Sequence, residues 1–134
     1  MSLKERLIKN STSDFTATLA DSKIYGKKDM IPTRVPMINV ALSGRIDGGL
    51  TPGLTVLAAP SKHFKTAFSL LMASAFLKAH PDGIILFYDS EFGTPESYFT
   101  TFGVPLDSVV HTPITDIEQL KFDVMQQLSE IKRD

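Results

Sequence analysis

Apolar residues in the second half of the chain alternate between short unbroken runs and runs spaced three or four residues apart. Leu54-Thr-Val-Leu-Ala58 follows the Pro52-Gly53 turn and predicts a short strand. The run Ile84-Ile-Leu-Phe-Tyr88 lies between a turn and acidic residues, which is typical of a strand buried on both faces of a parallel sheet. Val109-Val-His111 predicts a third, shorter strand.

Helical periodicity fills the intervals between these runs. The first interval carries an apolar stripe that predicts a helix ending at Pro81-Asp-Gly83. The stripe consists of Phe64, Ala67, Phe68, Leu71, Ala75 and Phe76. A short helix is predicted over about Pro95 to Phe102, with Gly103 in the C′ position. The capping box Thr115-Asp-Ile-Glu118 predicts the start of a last helix. Its apolar face is formed by Ile117, Leu120, Val124, Leu128 and Ile131.

The order of strands and helices predicts an α/β fold with a parallel sheet and right-handed crossovers. Residues 1–35 stand apart from this pattern as an N-terminal arm and linker. Leu3, Leu7 and Ile8 predict one face of a short helix that fades at Asn10, and apolar positions continue weakly through Phe15, Leu19 and Ile24. Ile31-Pro-Thr-Arg-Val-Pro36 is typical of an extended linker, because each proline disfavours helix in the residue before it. The core is then 36–134.

Composition narrows the classes of function. With 134 residues, 43% of them apolar and 22% charged, the chain fits one globular domain. The net charge is −1, divided into +3 over residues 1–35 and −4 over 36–134, so strong binding of nucleic acid or a membrane surface by this chain alone is not expected. The absence of cysteine excludes disulfides, cysteine-ligated metals and thiol catalysis, and His63, His80 and His111 lack metal-ligand spacing. No signal peptide or membrane span is predicted, which favours an intracellular protein.

A phosphate-binding loop is indicated where the first predicted strand meets the first predicted helix. Ala59-Pro-Ser-Lys-His-Phe-Lys65-Thr66 has the layout G-x-x-x-x-G-K-[ST], with Ala59 and Phe64 in the glycine positions. In such a loop backbone N–H groups hold the phosphates, the lysine reaches the β and γ oxygens and the hydroxyl ligates Mg²⁺. The alternative is an ordinary helix start at a Lys-Thr pair, and both interpretations remain open.

Carboxylates follow the second predicted strand, in Asp89-Ser90-Glu91. At the carboxyl end of a parallel strand they would face the same crevice as Lys65, where one could orient or deprotonate a water in line with a γ-phosphate. The alternative is a solvated strand end in which Asp89 or Ser90 caps the following residues. Tyr98 lies on the next helix, and a packing role is its simplest interpretation.

Several blocks together resemble the amino-terminal part of the UvsX recombinases of T4-like phages, which belong to the RecA family. They are Pro36-Met-Ile-Asn-Val-Ala-Leu-Ser-Gly44, Gly48-Gly49, Ala59 to Thr66, Phe87-Tyr-Asp-Ser-Glu-Phe-Gly93 and Val110-His-Thr-Pro113. The resemblance covers essentially the whole chain, including the Leu3 to Ser13 arm. In that family a bulky aromatic replaces the second glycine of the loop, as Phe64 does here, whereas Ala59 departs from the pattern.

The resemblance implies a RecA-like P-loop NTPase core, built as a partial parallel sheet with flanking helices behind the N-terminal arm. It implies ATP and Mg²⁺ as cofactors, with Thr66 as the metal ligand, Glu91 as the catalytic residue and Tyr98 stacked on adenine. The implied ATP-binding residues of the loop are Ala59, Pro60, Ser61, Lys62, His63, Phe64, Lys65 and Thr66. We also expect the chain to stop before the Walker B strand, with missing strands between the Leu54 and Ile84 strands.

The parent protein that this resemblance implies is a DNA-dependent ATPase in the cytoplasm of a phage-infected bacterium. It would form ATP-dependent filaments on single-stranded DNA and exchange strands, with the DNA bound by the missing carboxyl-terminal part. Residues 1–35 would contact a neighbouring subunit, and the chain alone is expected to be inactive. One alternative is a non-catalytic oligomerisation module with a degenerate phosphate loop. Another is a P-loop kinase that has lost its substrate lid.

Overall fold

The computed structural model describes residues 1–22 and 29–131. Its helices and strands follow in chain order: α1 Leu3–Lys9, α2 Pro36–Ser43, α3 Lys65–Ala79, β1 Ile85–Asp89, α4 Glu96–Thr101, β2 Val109–Pro113 and α5 Ile117–Glu130. Short 3₁₀ turns lie at Leu19–Asp21 and Leu106–Ser108. Helix α1 ends as predicted at its C-cap Asn10. The weak apolar continuation predicted at Ile24 lies outside the described residues.

The centre of the fold is the parallel pairing of β1 with β2, which runs in register from Ile85 opposite Val109 to Asp89 opposite Pro113. The connection between them passes through α4, as the sequence order predicted. A small core packs against this pair, formed by Leu70, Leu77, Phe99 and Val104. Residues 85–88 of β1 are half-buried, so the prediction of a strand buried on both faces is wrong in this structure. The reason is that α5 covers the sheet loosely.

The strand predicted at Leu54–Ala58 does not form, and this prediction is wrong. Among the described residues the sheet consists of β1 and β2, so the segment has no hydrogen-bonded neighbour. Leu54 is 92% exposed and Val56 75% exposed. An apolar sequence favours a strand only when another strand is available to pair with its N–H and C=O groups. Thr55 and Leu57 instead face Phe87 of β1 across a cavity of about 390 Å³.

The segment predicted as a linker is extended at Val35 but is hydrogen-bonded to the core rather than free. Ile31 forms an antiparallel bridge with Leu50, with both N–H to O=C distances at 2.8 Å. The buried amide of Asn39 accepts from the N–H and hydroxyl of Thr33 at 2.8 Å and donates to its carbonyl at 3.1 Å. The Arg34 guanidinium donates to the carbonyl of Phe102. Residues 31–35 therefore pack as part of the core.

Two helix starts differ from the sequence-based prediction. Pro36 opens α2, which was not predicted, because proline suits the first helical position, where its missing N–H has no acceptor to lose. The N-cap of α5 is Asp116 and not Thr115, since the Asp116 carboxylate accepts from the N–H of Glu118 at 2.7 Å. Helices α3 and α4 lie where they were predicted, and Gly103 follows α4 at φ 77°.

The predicted apolar face of α5 is only partly covered. Leu120 and Val124 are half-buried, whereas Ile117, Leu128 and Ile131 are more than half exposed. The Tyr88 hydroxyl ties this helix to β1 by donating to the Asp123 carboxylate at 2.7 Å. No helix within residues 1–22 and 29–131 is both long and apolar enough to cross a membrane.

The Gly48-Gly49 pair has a steric cause that a matched pair of variants can test. A Cβ added at Gly49 would lie 2.2 Å from the carbonyl oxygen of Ile31, whereas one at Gly53 would meet nothing within 4 Å. Both glycines have a positive φ, 129° and 141°, so the backbone strain of alanine is similar. We expect Gly49→Ala to destabilise the fold by about 2 to 4 kcal/mol and Gly53→Ala by about 1 to 2 kcal/mol.

Urea unfolding measures this difference, and amide hydrogen exchange at Ile31 and Leu50 shows whether their bridge opens. Exchange at both amides should accelerate in Gly49→Ala and stay unchanged in Gly53→Ala. Equal losses of stability with an intact bridge in both variants would contradict the steric explanation.

Candidate functional site

The segment 59–64 forms a turn that leads directly into α3, with Phe64 as the N-cap residue. Phe64 lies in the left-handed region at φ 58°, the conformation that glycine normally supplies at this place in a phosphate loop. Phenylalanine pays about 1 to 2 kcal/mol for that backbone conformation. Its ring is 69% exposed, so the side chain finds space outside the loop. The loop thus keeps the backbone form of the glycine without the glycine.

Ala59 stands in the position of the first glycine. It is not among the described non-glycine residues with positive φ, which are Lys62, Phe64 and Phe92. Its Cβ therefore carries no backbone penalty in this loop conformation. The departure of Ala59 from the glycine pattern is sterically tolerated here.

Lys65 folds back over the loop. Its ammonium donates to the carbonyl oxygens of Ala59 at 3.2 Å and Pro60 at 3.1 Å. Among the described residues, its Nζ takes part in no ion pair with a carboxylate. Neutral carbonyls are weaker partners for an ammonium than anionic oxygens, so a phosphate could replace them with a gain in interaction energy.

One open cavity of about 830 Å³ joins the loop to the carboxyl end of β1. Its lining includes loop residues 61–66, residues 87–91, residues 93–95 and Tyr98. The cavity therefore brings together Lys65, Thr66, Glu91 and Tyr98, whereas Ala59 and Pro60 act only through their carbonyls. Its volume lies within the range of about 300 to 1,000 Å³ that is usual for small-molecule sites.

Asp89 organises the acidic side of this cavity. Its Oδ1 accepts from the N–H of Glu91 at 2.9 Å and of Phe92 at 3.0 Å, and its carbonyl accepts from the N–H of Ile114 at 2.8 Å. Its Oδ2 lies 3.6 Å from Nε2 of His111, an ion-pair distance when the imidazole is protonated. Asp89 thus caps the residues that follow the strand, while the exposed Glu91 side chain is left to the cavity.

Tyr98 combines the two roles considered for it from the sequence. It is half-buried on α4 and packs edge-on against Phe102 with ring centroids 5.0 Å apart, and it also lines the cavity. Tyr88, which lines the same cavity, has a pKa raised mainly by its hydrogen bond to Asp123, which favours the neutral phenol, with burial and the carboxylate charge acting in the same direction.

The donor set of the cavity fits Mg²⁺. The Thr66 hydroxyl and the carboxylates of Asp89 and Glu91 line it, and these are oxygen ligands of the kind this cation takes. Among the described residues no cluster of three or more His, Asp or Glu side chains could hold a metal by itself. His63 is occupied with a contact between its Nδ1 and the Ser61 carbonyl at 2.9 Å. A divalent cation here would need oxygens from a bound ligand.

Sequence reasoning missed two features that shape this site. One is the tie between Tyr88 and Asp123, for which the sequence carries no signal because the partners are 35 residues apart. The other is the pair of hydrogen bonds from Asp89 to the residues after it. The signal for that was present, since aspartate followed by a short polar segment favours a side chain to backbone turn.

The chain is similar over nearly all of its length to a phage protein. It is 50% identical over 131 residues to the "Recombination and repair protein" of Enterobacteria phage T4. The matched stretch is 98% of this chain and 34% of that protein, so the chain spans about a third of the length of its relative. No model of a known protein family matches the chain.

Proposed function

We propose that the chain is the ATP-binding part of a DNA recombination and repair protein of the UvsX type. The observation that carries the proposal is the single cavity shared by Lys65, Thr66, Glu91 and Tyr98. The name of the phage T4 relative supports a role in recombination and repair. The left-handed Phe64 and the start of α3 directly behind it support the phosphate loop in preference to an ordinary helix start.

Each of these side chains has a distinct role in the proposal. The Lys65 ammonium leaves the loop carbonyls and binds the β and γ oxygens of ATP, and the Thr66 hydroxyl ligates Mg²⁺. Magnesium bound there neutralises phosphate charge. Glu91 accepts the proton of an attacking water or orients it, and the Tyr98 ring stacks on the base. Backbone N–H groups of the loop and the first turn of α3 complete the phosphate site.

The rest of the proposed activity belongs to the longer protein. That protein would form ATP-dependent filaments on single-stranded DNA and exchange strands in the cytoplasm of an infected host. Residues 36–134 carry a net charge of −4, so the DNA would be bound by regions outside this chain. The cavity between Leu57 and Phe87 is where further strands of a RecA-like sheet would pair with β1.

Lys65→Ala tests the phosphate site. We expect the affinity for Mg-ATP to fall about 10- to 100-fold, because a charge-assisted bond to phosphate is lost. Lys78→Ala is the matched control, since it removes the same charge from the last turn of the same helix. Isothermal titration calorimetry of the full-length protein measures both. Equal affinity of the two variants for Mg-ATP would refute the assignment of Lys65.

Glu91→Gln tests the proposed base. We expect ATP binding to persist while turnover falls about 10²- to 10⁴-fold, since the loop is intact and the proton acceptor is gone. Glu96→Gln is the control, because the same change is made in the first turn of α4, outside the cavity lining. Steady-state ATP hydrolysis with single-stranded DNA gives the comparison. Turnover at the parental rate would show that Glu91 only ends the strand segment.

A second role, as an oligomerisation module, is favoured by the N-terminal arm. Helix α1 has no buried residue, and its leucines Leu3 and Leu7 are 64% and 65% exposed, one turn apart on one face. Exposed apolar side chains spaced in this way are suited to packing on a neighbouring subunit. This role is compatible with ATP binding, because none of the arm residues lines the cavity.

The double variant Leu3→Ser, Leu7→Ser separates the two roles. We expect it to weaken self-association while leaving affinity for Mg-ATP unchanged, because it removes the apolar face of α1 alone. Lys4→Ser with Lys9→Ser changes the same helix outside that face and serves as the control. Sedimentation velocity over a concentration series measures assembly. A monomer in the parent protein, or unchanged assembly in the leucine variant, would argue against a subunit contact through the arm.

A further inference from the structure

The Asp89 carboxyl is turned toward the backbone that follows it and not toward the open cavity. The residue is 8% exposed, and its Oδ1 accepts from two consecutive N–H groups, those of Glu91 and Phe92. Its main-chain carbonyl is held in turn by the N–H of Ile114, just beyond β2. Asp89 therefore links the end of the sheet to the three residues that follow it by side-chain and main-chain bonds.

The same turn contains a strained residue that needs this support. Phe92 has a φ of 53°, a conformation that costs a non-glycine residue about 1 to 3 kcal/mol. The Phe92 ring is 58% exposed, so packing does little to hold the residue there. The bond from its N–H to Asp89 is the interaction that opposes relaxation of this backbone, and relaxation would move the neighbouring Glu91.

We propose that Asp89 is a positioning residue that fixes the backbone of Glu91 and thereby holds the Glu91 carboxylate at the cavity. This inference rests on the proposed function of Glu91 as the group that handles the attacking water. A displacement of about 1 Å in a reacting group can reduce a rate about 10²-fold, so loss of the turn should affect turnover much more than nucleotide binding.

Asp89→Ala and Asp89→Asn in the full-length protein test the proposal. The alanine variant loses both bonds, and we expect kcat for ATP hydrolysis to fall about 10²-fold with little change in affinity for Mg-ATP. Asparagine keeps an oxygen that accepts from Glu91 and Phe92, and its NH₂ group can donate to a neutral ring nitrogen of His111. We therefore expect Asp89→Asn to restore most of the lost turnover. Glu91→Gln combined with Asp89→Ala should be no slower than Glu91→Gln alone.

Asp116→Ala is the matched control for simple destabilisation. It removes a carboxylate that makes the same type of bond to the N–H two residues on, outside the lining of the loop cavity. This variant should keep parental kcat. Equal losses of kcat in Asp89→Ala and Asp116→Ala, or no rescue by asparagine, would overturn the proposal.

Amide hydrogen exchange at Glu91 and Phe92 reads the turn without any dependence on ATP chemistry. Both amides should be protected in the parent protein and in Asp89→Asn and should exchange faster in Asp89→Ala. Unchanged exchange in the alanine variant would overturn the positioning role. If the parent protein does not hydrolyse ATP, the proposed function fails, and the exchange data alone decide whether Asp89 fixes Glu91.

Discussion

The parallel pairing of β1 with β2 is the constraint on which the candidate site depends. Parallel strands end at the same edge of a sheet, so Asp89 and Pro113 lie side by side at the end of the register. From there the carbonyl of Asp89 binds the N–H of Ile114, which locks the edge immediately before the chain turns. The acidic residues reach the phosphate loop from a fixed edge, and only the short turn after Asp89 adds freedom.

Alternation along β1 divides the work of the strand between its two faces. Phe87 and Asp89 share one face, where the Phe87 ring meets Phe99 edge-on at 5.2 Å and stacks on His111 at 5.5 Å. Tyr88 points to the other face and ties α5 through Asp123. Three consecutive residues thus anchor α4, β2 and α5. Glu91 lies just past this anchored stretch, where a side chain can face the cavity without a packing role.

Local signals made much of this fold predictable. The apolar stripe of α3 and the glycine that follows α4 depend on neighbours within a few residues, and both elements lie where they were predicted. The strand predicted at Leu54–Ala58 fails because pairing depends on a distant partner that local sequence does not specify. The contact of Thr33 with Asn39 was hidden for a different reason. A proline-bounded segment looks like a linker until its polar groups are matched with a buried amide.

The site itself was predictable in its residue types and unpredictable in its support. Lys65 and Thr66 follow from motif spacing, and Glu91 follows from its place after a strand. Phe64 shows what the motif describes physically, since the requirement at that position is a left-handed backbone, which glycine meets without strain and phenylalanine meets with it. A pattern of letters therefore rejects this loop, whereas its backbone angle retains it. Phe92 repeats the arrangement across the cavity, and there the Asp89 carboxylate offsets the strain.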